Sequence, residues 1–225
     1  MDQSKLQSKY FLYIAILFVA VLMISNTVAV KLFQLGPFFF AGAIMIFPIS
    51  YVFGDILTEV YGYRASRRII WAGFISVMAM SIVYYLVQLL PPAPFWPDQK
   101  AYESILGMVP RIVLGSIVGY FVGEFSNSYI LSKLKIKTNG RHLWVRTISS
   151  TIVGEALDTT LFVTIAFGGL IPWNNLFSIM ISGYVAKVLI EVLLTPVTYA
   201  VVKKLKQLEG IDVYDRGVNY NPFSV

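Results

Sequence analysis

Apolar residues fall in six long runs separated by short polar connections, at about Tyr10–Val30, Phe38–Val60, Ile69–Leu90, Pro110–Leu131, Trp144–Leu170 and Leu176–Val202. A helix needs about 20 mostly apolar residues, at about 1.5 Å of rise each, to cross a hydrocarbon core about 30 Å thick. All six runs are long enough. A soluble protein with buried helices would show one or two such runs, not six. The pattern therefore predicts an all-α, polytopic membrane protein: a single domain over residues 1–225 forming a six-transmembrane-helix bundle. The first run is expected to be a span rather than a cleaved leader. It is too long for an h-region, contains Ser25 and Asn26, and is followed by no small-residue cleavage site.

Composition agrees. Hydrophobic residues make up 57 % and charged residues 13 %, about half the charge of an average soluble domain. The absence of cysteine removes disulfides and thiolate chemistry. His142, the one histidine, lies in a connection, so no histidine metal site is expected, and no cofactor. The net charge of +6 would suit a nucleic-acid partner, but its placement explains it otherwise. Fourteen of the 18 Lys and Arg lie on one side: Lys5 and Lys9, then Arg64, Arg67 and Arg68, then Lys133, Lys135, Lys137, Arg141 and Arg146, then Lys203, Lys204, Lys206 and Arg216. Lys31, Lys100 and Arg111 lie on the other, and Lys187 is inside the last run. By the positive-inside rule both termini are expected to be cytoplasmic. The basic excess then serves orientation and contact with the lipid bilayer, with no nucleic acid involved.

Trp71, Trp96, Trp144 and Trp173 all sit at span ends or in connections, where amphipathic rings anchor at the interface. Trp96 lies in the stiff outer segment Pro91–Pro97 and is a candidate cap over a cavity. Pro48 and Pro196 are expected to interrupt their helices, as membrane helices do where they line cavities or kink. Gly115, Gly119 and Gly123 make a smooth stripe for close helix packing; packing within the chain is the preferred reading, a homodimer the alternative. A short echo links Ile49-Ser50, Gly54-Asp55 and Thr58 to Ile148-Ser149, Gly154-Glu155 and Asp158-Thr159. It suggests two inverted three-helix halves.

Six carboxylates and one ammonium fall within the expected spans: Asp55, Glu59, Glu124, Glu155, Asp158, Glu191 and Lys187. A charge at a helix centre costs about 2.5–3.5 kcal/mol on the insertion scale, so these groups must avoid lipid. One lysine cannot neutralise six acids, which points to a wet, acidic cavity. Asp55 and Glu59 are spaced i, i+4 and Glu155 and Asp158 i, i+3, so each pair shares one face of its helix. Asn26 and Asn127 could add amide groups. A Lys187–Glu191 pair along one helix face is the purely structural alternative.

The segment Phe47-Pro48-Ile49-Ser50-Tyr51-Val52-Phe53-Gly54-Asp55-Ile56-Leu57-Thr58-Glu59-Val60-Tyr61-Gly62, with Arg67-Arg68-Ile69-Ile70, resembles the queuosine-precursor transporter family, long labelled vitamin-uptake-like. Ser25-Asn26, Arg111, Gly154, Asp158-Thr159, Ile165-Ala166-Phe167, Lys187-Val188-Leu189-Ile190 and Pro196 extend the resemblance over nearly the whole chain. It implies a non-enzymatic importer of 7-deazaguanine bases (preQ0, preQ1 or queuine) in a bacterial inner membrane. It also implies a fold related to the substrate-binding subunits of energy-coupling-factor transporters. Asp55, Asp158, Asn26, Glu155, Glu59, Lys187, Arg111 and Trp96 are the expected substrate-site residues, with Asp55 and Asp158 as principal contacts. A guanine-like edge presents N–H donors that a carboxylate accepts strongly. The rival readings are a binding subunit of a multi-component ATP-driven importer, for which the first span offers only Ser25 and Ala29 as a small-residue docking face, and an aspartyl intramembrane enzyme built on Asp55 and Asp158.

Overall fold

A computed structural model describes residues 9–224; Lys5 of the basic tally lies outside them. The chain runs α1 (Phe11–Val28), a hairpin of β1 (Leu32–Leu35) and β2 (Phe38–Ala41), a 3-10 turn (Gly42–Met45), α2 (Phe47–Tyr61), α3 (Tyr63–Gln88), α4 (Gln99–Leu106), α5 (Val109–Lys137), α6 (Leu143–Phe167) and α7 (Trp173–Glu209). Helices α1, α3, α5 with α4 running into it, α6 and α7 are each long and apolar enough to cross a bilayer. Large side chains such as Leu193 and Ile75 point outward, 75 % and 66 % exposed. That is the surface a lipid solvent calls for. The protein is a multi-pass helical membrane protein.

The second expected span is built differently from the other five. Its first residues form β2, paired antiparallel with β1 in the register Leu32↔Ala41 to Leu35↔Phe38. Gly36, at φ +57°, precedes Pro37 at the tip, the place where a two-residue hairpin turn needs glycine. The Gly42 amide then donates to Lys31 O at 2.7 Å, closing the hairpin base. Only Phe47–Tyr61 remains helical. Fifteen residues rise about 22 Å, short of the hydrocarbon thickness. Twelve of those residues are buried, and α2 packs against α1, α3, α5 and α7. A helix enclosed on every side sits in the middle of a bundle. Pro48 accordingly does not interrupt a helix. It stands in the first turn of α2, where its missing N–H has no partner to lose. Pro196 does lie inside α7.

Several basic residues expected in loops are helical. Arg64, Arg67 and Arg68 belong to the start of α3, and the α2–α3 connection is Gly62 alone. That glycine is required: its φ is +85°, and a Cβ there would lie 2.7 Å from Val213 Cγ1 and 2.9 Å from Asp215 Oδ1. Helices α5 and α7 extend beyond the apolar runs and carry Lys133, Lys135, Lys137, Lys203, Lys204 and Lys206. The segment after α7 folds back over this basic end. Asp215 Oδ2 accepts from the Tyr63 amide at 2.9 Å and from Ser132 Oγ at 2.7 Å. Arg67 Nη1 donates to the Asn219 and Asn221 carbonyls at 3.0 and 2.7 Å, and Trp71 Nε1 to Pro222 O at 2.9 Å.

The α5 glycine stripe packs within the chain, against α6. A Cβ at Gly115 would meet Phe162 O at 3.1 Å, one at Gly119 would meet Asp158 O at 2.7 Å, and one at Gly123 would meet Gly154 O at 2.7 Å. Bare backbone at these positions is what lets α6 approach closely enough to hold Asp158 in the bundle interior.

Candidate functional site

Between α1, the hairpin, α5, α6 and α7 lies a cavity with about 520 Å³ of free space, part of it open to the outside. Its walls are apolar, with Phe47 from α2, Phe162 and Val163 from α6, Ile179 from α7 and Phe40 from β2. Its polar side is made by Ser25 and Asn26 of α1, Ser116 of α5, Asp158 and Thr159 of α6 and Lys187 of α7.

Lys187 organises this polar side. Its ammonium donates to Asp158 Oδ2 at 2.7 Å and to Thr159 Oγ1 at 3.1 Å, and pairs with Glu155 Oε2 at 2.8 Å. The three contacts occupy all three ammonium protons. The same nitrogen sits 4.4 Å from the centre of the Phe47 ring, a favourable cation–π distance. Glu155 and Asp158 reach one lysine because three residues of helix place them on the same face. Two carboxylates against one ammonium leave a net charge of −1 when all are ionised.

Two acceptors on cavity-lining residues remain unused. Asp158 Oδ1 is buried with no hydrogen-bond partner. Asn26 Nδ2 donates to Leu22 O at 2.8 Å, while its Oδ1 has no partner. A buried polar atom left unpaired costs about 1–3 kcal/mol, so a ligand bringing N–H donors to these two oxygens would regain that.

The other expected site residues lie elsewhere. Glu155 holds Lys187 from outside the cavity wall. Asp55 is fully buried between α2 and α5, where Oδ1 accepts from Asn127 Nδ2 at 2.8 Å; it does not line the cavity. Glu59 is at the basic end, with Lys206 at 2.7 Å, Arg146 at 2.9 Å and Lys135 at 3.5 Å. Arg111 Nε donates to Ile165 O at 2.8 Å and its Nη2 to Gly168 O, so it closes the carbonyl end of α6. Trp96 is 38 % exposed, edge-on to Tyr102, and away from the cavity. The expected alternative pairing of Lys187 with Glu191 does not form, since Lys187 turns across to α6 and both Glu191 carboxylate oxygens are without a partner. Asp55 and Asp158 are bonded to different partners, which is no arrangement for an aspartyl dyad. Phe47, Phe162 and the hairpin's Phe40 were not foreseen at the site. Nothing in the sequence sets them apart from the other phenylalanines.

A multi-pass bundle with a cavity and a charged wall at its centre has the makings of a membrane carrier. Residues 41–201 match the family described as "Putative vitamin uptake transporter", and the chain belongs to that family. It is 33 % identical over 152 residues to a protein of Bacillus subtilis (strain 168) named probable queuosine precursor transporter, an alignment covering 67 % of this chain and 66 % of that one. It is 27 % identical over 121 residues to the queuosine precursor transporter of Escherichia coli (strain K12), covering 54 % of this chain and 52 % of the relative. A probable queuosine precursor transporter of Haemophilus influenzae is 27 % identical over 124 residues, 55 % of this chain and 50 % of that one. The matched part thus spans half to about two thirds of these relatives. No solved structure matches the chain. The kinship is with transporters, not enzymes.

Proposed function

We propose that this protein carries queuosine precursors, 7-deazaguanine bases such as preQ0 and preQ1, inward across a bacterial inner membrane, with both termini cytoplasmic. The names of its relatives support the substrate class. The observation that carries the reading is the pair of unpartnered acceptors, Asp158 Oδ1 and Asn26 Oδ1, on one apolar-walled cavity. A guanine-like edge presents a ring N–H and an exocyclic amine. The first suits the charged acceptor of Asp158, the second the amide oxygen of Asn26, and Phe47 and Phe162 offer surfaces for the flat ring. The aminomethyl precursor is cationic and gains further from the net −1 charge of the Lys187 group.

A binding subunit of a multi-component importer is less well supported. Ser25 and Ala29, its only small-residue docking face on α1, are buried and line the cavity instead of facing outward. The deciding experiment is binding of a deazaguanine panel to the purified protein, read by thermal shift and by titration, with Asp158→Asn as control. Replacing the charged acceptor should weaken binding about 10- to 150-fold. Failure of every deazaguanine to bind the folded protein overturns the reading.

A further inference from the structure

Beyond the cavity the bundle holds a second polar group that substrate recognition does not use. Asp55 on α2, Glu124 on α5 and Glu191 on α7 are 0 %, 0 % and 2 % exposed. None has a Lys, Arg or His nitrogen within 4 Å among the described residues, whereas Glu59, Glu155 and Asp158 all do. Asp55 has one bond, from Asn127, and Glu124 has only neutral hydroxyl neighbours, Ser128 Oγ at 3.4 Å and Tyr120. Glu191 has no partner on either oxygen. Removing an ion from water without a partner costs several kcal/mol even after relaxation. Three such anions in one bundle would oppose folding with most of the 5–15 kcal/mol that hold a protein together. Neutralising cations must therefore come from solution. The proton is the cation that fits these sites most simply, since it needs one carboxylate oxygen and no set of ligands.

The surroundings give that proton a route. Asp55 lies in the field of Glu191, Glu124 and Glu59. Glu191 also acts on Glu155, which shares Lys187 with Asp158. The Tyr51 hydroxyl, on a residue 1 % exposed, has no partner and lies in the field of Asp158, Glu155 and Glu124. Tyr120 from α5 faces Glu124 and Asp158. Lys187, the one cation deep in the bundle among the described residues, is taken by α6, and Arg146, Lys135 and Lys206 are gathered on Glu59 at the basic end. Titratable groups within one another's field thus lie between Asp158 at the cavity and the buried Asp55, Glu124 and Glu191.

We propose that the Asp55–Glu124–Glu191 group is a proton-binding site that couples transport to the proton gradient, making the protein a proton–solute symporter. This rests on the import reading above. With two carboxylates of the group held as neutral acids, a further proton enters from the cavity side, neutralises the third, and leaves to the basic side as the solute is released. No bond other than O–H forms or breaks, and the proton's positive charge crosses with each solute in addition to any charge the solute carries.

The test uses the full-length protein in sealed liposomes with a bound deazaguanine from the panel as solute. Substrate exchange across the membrane without a gradient reports import by itself. Uphill accumulation under an imposed pH gradient, acid outside, reports coupling. One proton per solute predicts up to about tenfold accumulation per pH unit, abolished by a protonophore. A sodium gradient at equal pH should drive none. Glu191→Gln should keep exchange and lose accumulation, and Asp55→Asn gives a second variant where Glu191→Gln fails to fold. Exchange without accumulation in the wild type, or accumulation driven by sodium alone, overturns proton coupling and leaves import standing. Loss of exchange itself in the wild type overturns import.

Discussion

Lys187 reaches across from α7 to Asp158 on α6 at 2.7 Å and leaves Glu191, one turn along its own helix, without a partner. That choice ties two transmembrane helices together at the cavity wall and separates an ion-paired site from an unpaired one. Removing Lys187 strands two buried carboxylates, a change that typically costs about 3–5 kcal/mol. Lys187→Met should therefore unfold far more easily than wild type. Glu191→Gln should be close to wild type, because it breaks no bond. Detergent-solubilised thermal unfolding separates them, and equal losses would restore the Lys187–Glu191 pair.

Asn26 offers a neutral acceptor where Asp158 offers a charged one. Asn26→Leu should weaken deazaguanine binding by about 0.5–1.5 kcal/mol, roughly 2- to 13-fold, less than Asp158→Asn. Trp96→Ala should leave affinity unchanged, since its ring packs edge-on against Tyr102 and not on the cavity. A titration series on the three variants orders them. A large loss in Trp96→Ala would mean that the outer loop closes over bound substrate.

The glycine stripe gives a steric test. At Gly119 and Gly123 an added Cβ would lie 2.7 Å from α6 backbone oxygens, with no flexible side chain to yield. Gly123→Val should cost at least the 1–3 kcal/mol of ordinary overpacking and should lower the yield of folded monomer. If Gly123→Val folded normally and changed only an oligomer equilibrium, the stripe would belong to a homodimer.

At the basic end, burial pushes the Asp212 carboxyl up, but Lys135 and Lys206, at 2.6 and 2.9 Å, outweigh it and hold it below the ordinary value. A depressed acid adds stability that is complete above its unfolded pKa, about 3.9, and is lost as pH falls through the lower folded value. Asp212 is 43 % exposed, so the effect is small. Wild type and Asp212→Asn should differ in melting temperature at neutral pH and converge in acid. A constant difference down to the acid limit would remove Asp212 from that clasp.

Orientation can be read with single cysteines, as the chain has none of its own. A cysteine at Gln99 should react with an impermeant reagent from outside, and one at Lys137 only after permeabilisation. The reverse pattern would invert the topology.

Partition into lipid is a local, additive property of apolar runs, so the sequence alone revealed a polytopic helical bundle, its basic end, and acids too many for one lysine. Family membership was legible for a similar reason, because the Phe47–Gly62 segment and Lys187-Val188-Leu189-Ile190 are contiguous strings. Contacts across helices are different in kind. Run length did not distinguish a spanning helix from a hairpin followed by a short buried α2, although Gly36-Pro37 marked the turn. Spacing put Asp55 with Glu59 and Lys187 with Glu191, yet packing parted both pairs: Glu59 went to the basic end and Lys187 to α6. Which acid meets Lys187 depends on how closely α6 can approach α5, and that distance is set by Gly115, Gly119 and Gly123 meeting backbone some forty residues away. Only packing decided that Asp158 faces the cavity, that Glu59 closes the basic end, and that Asp55 and Glu191 stay buried without a cation.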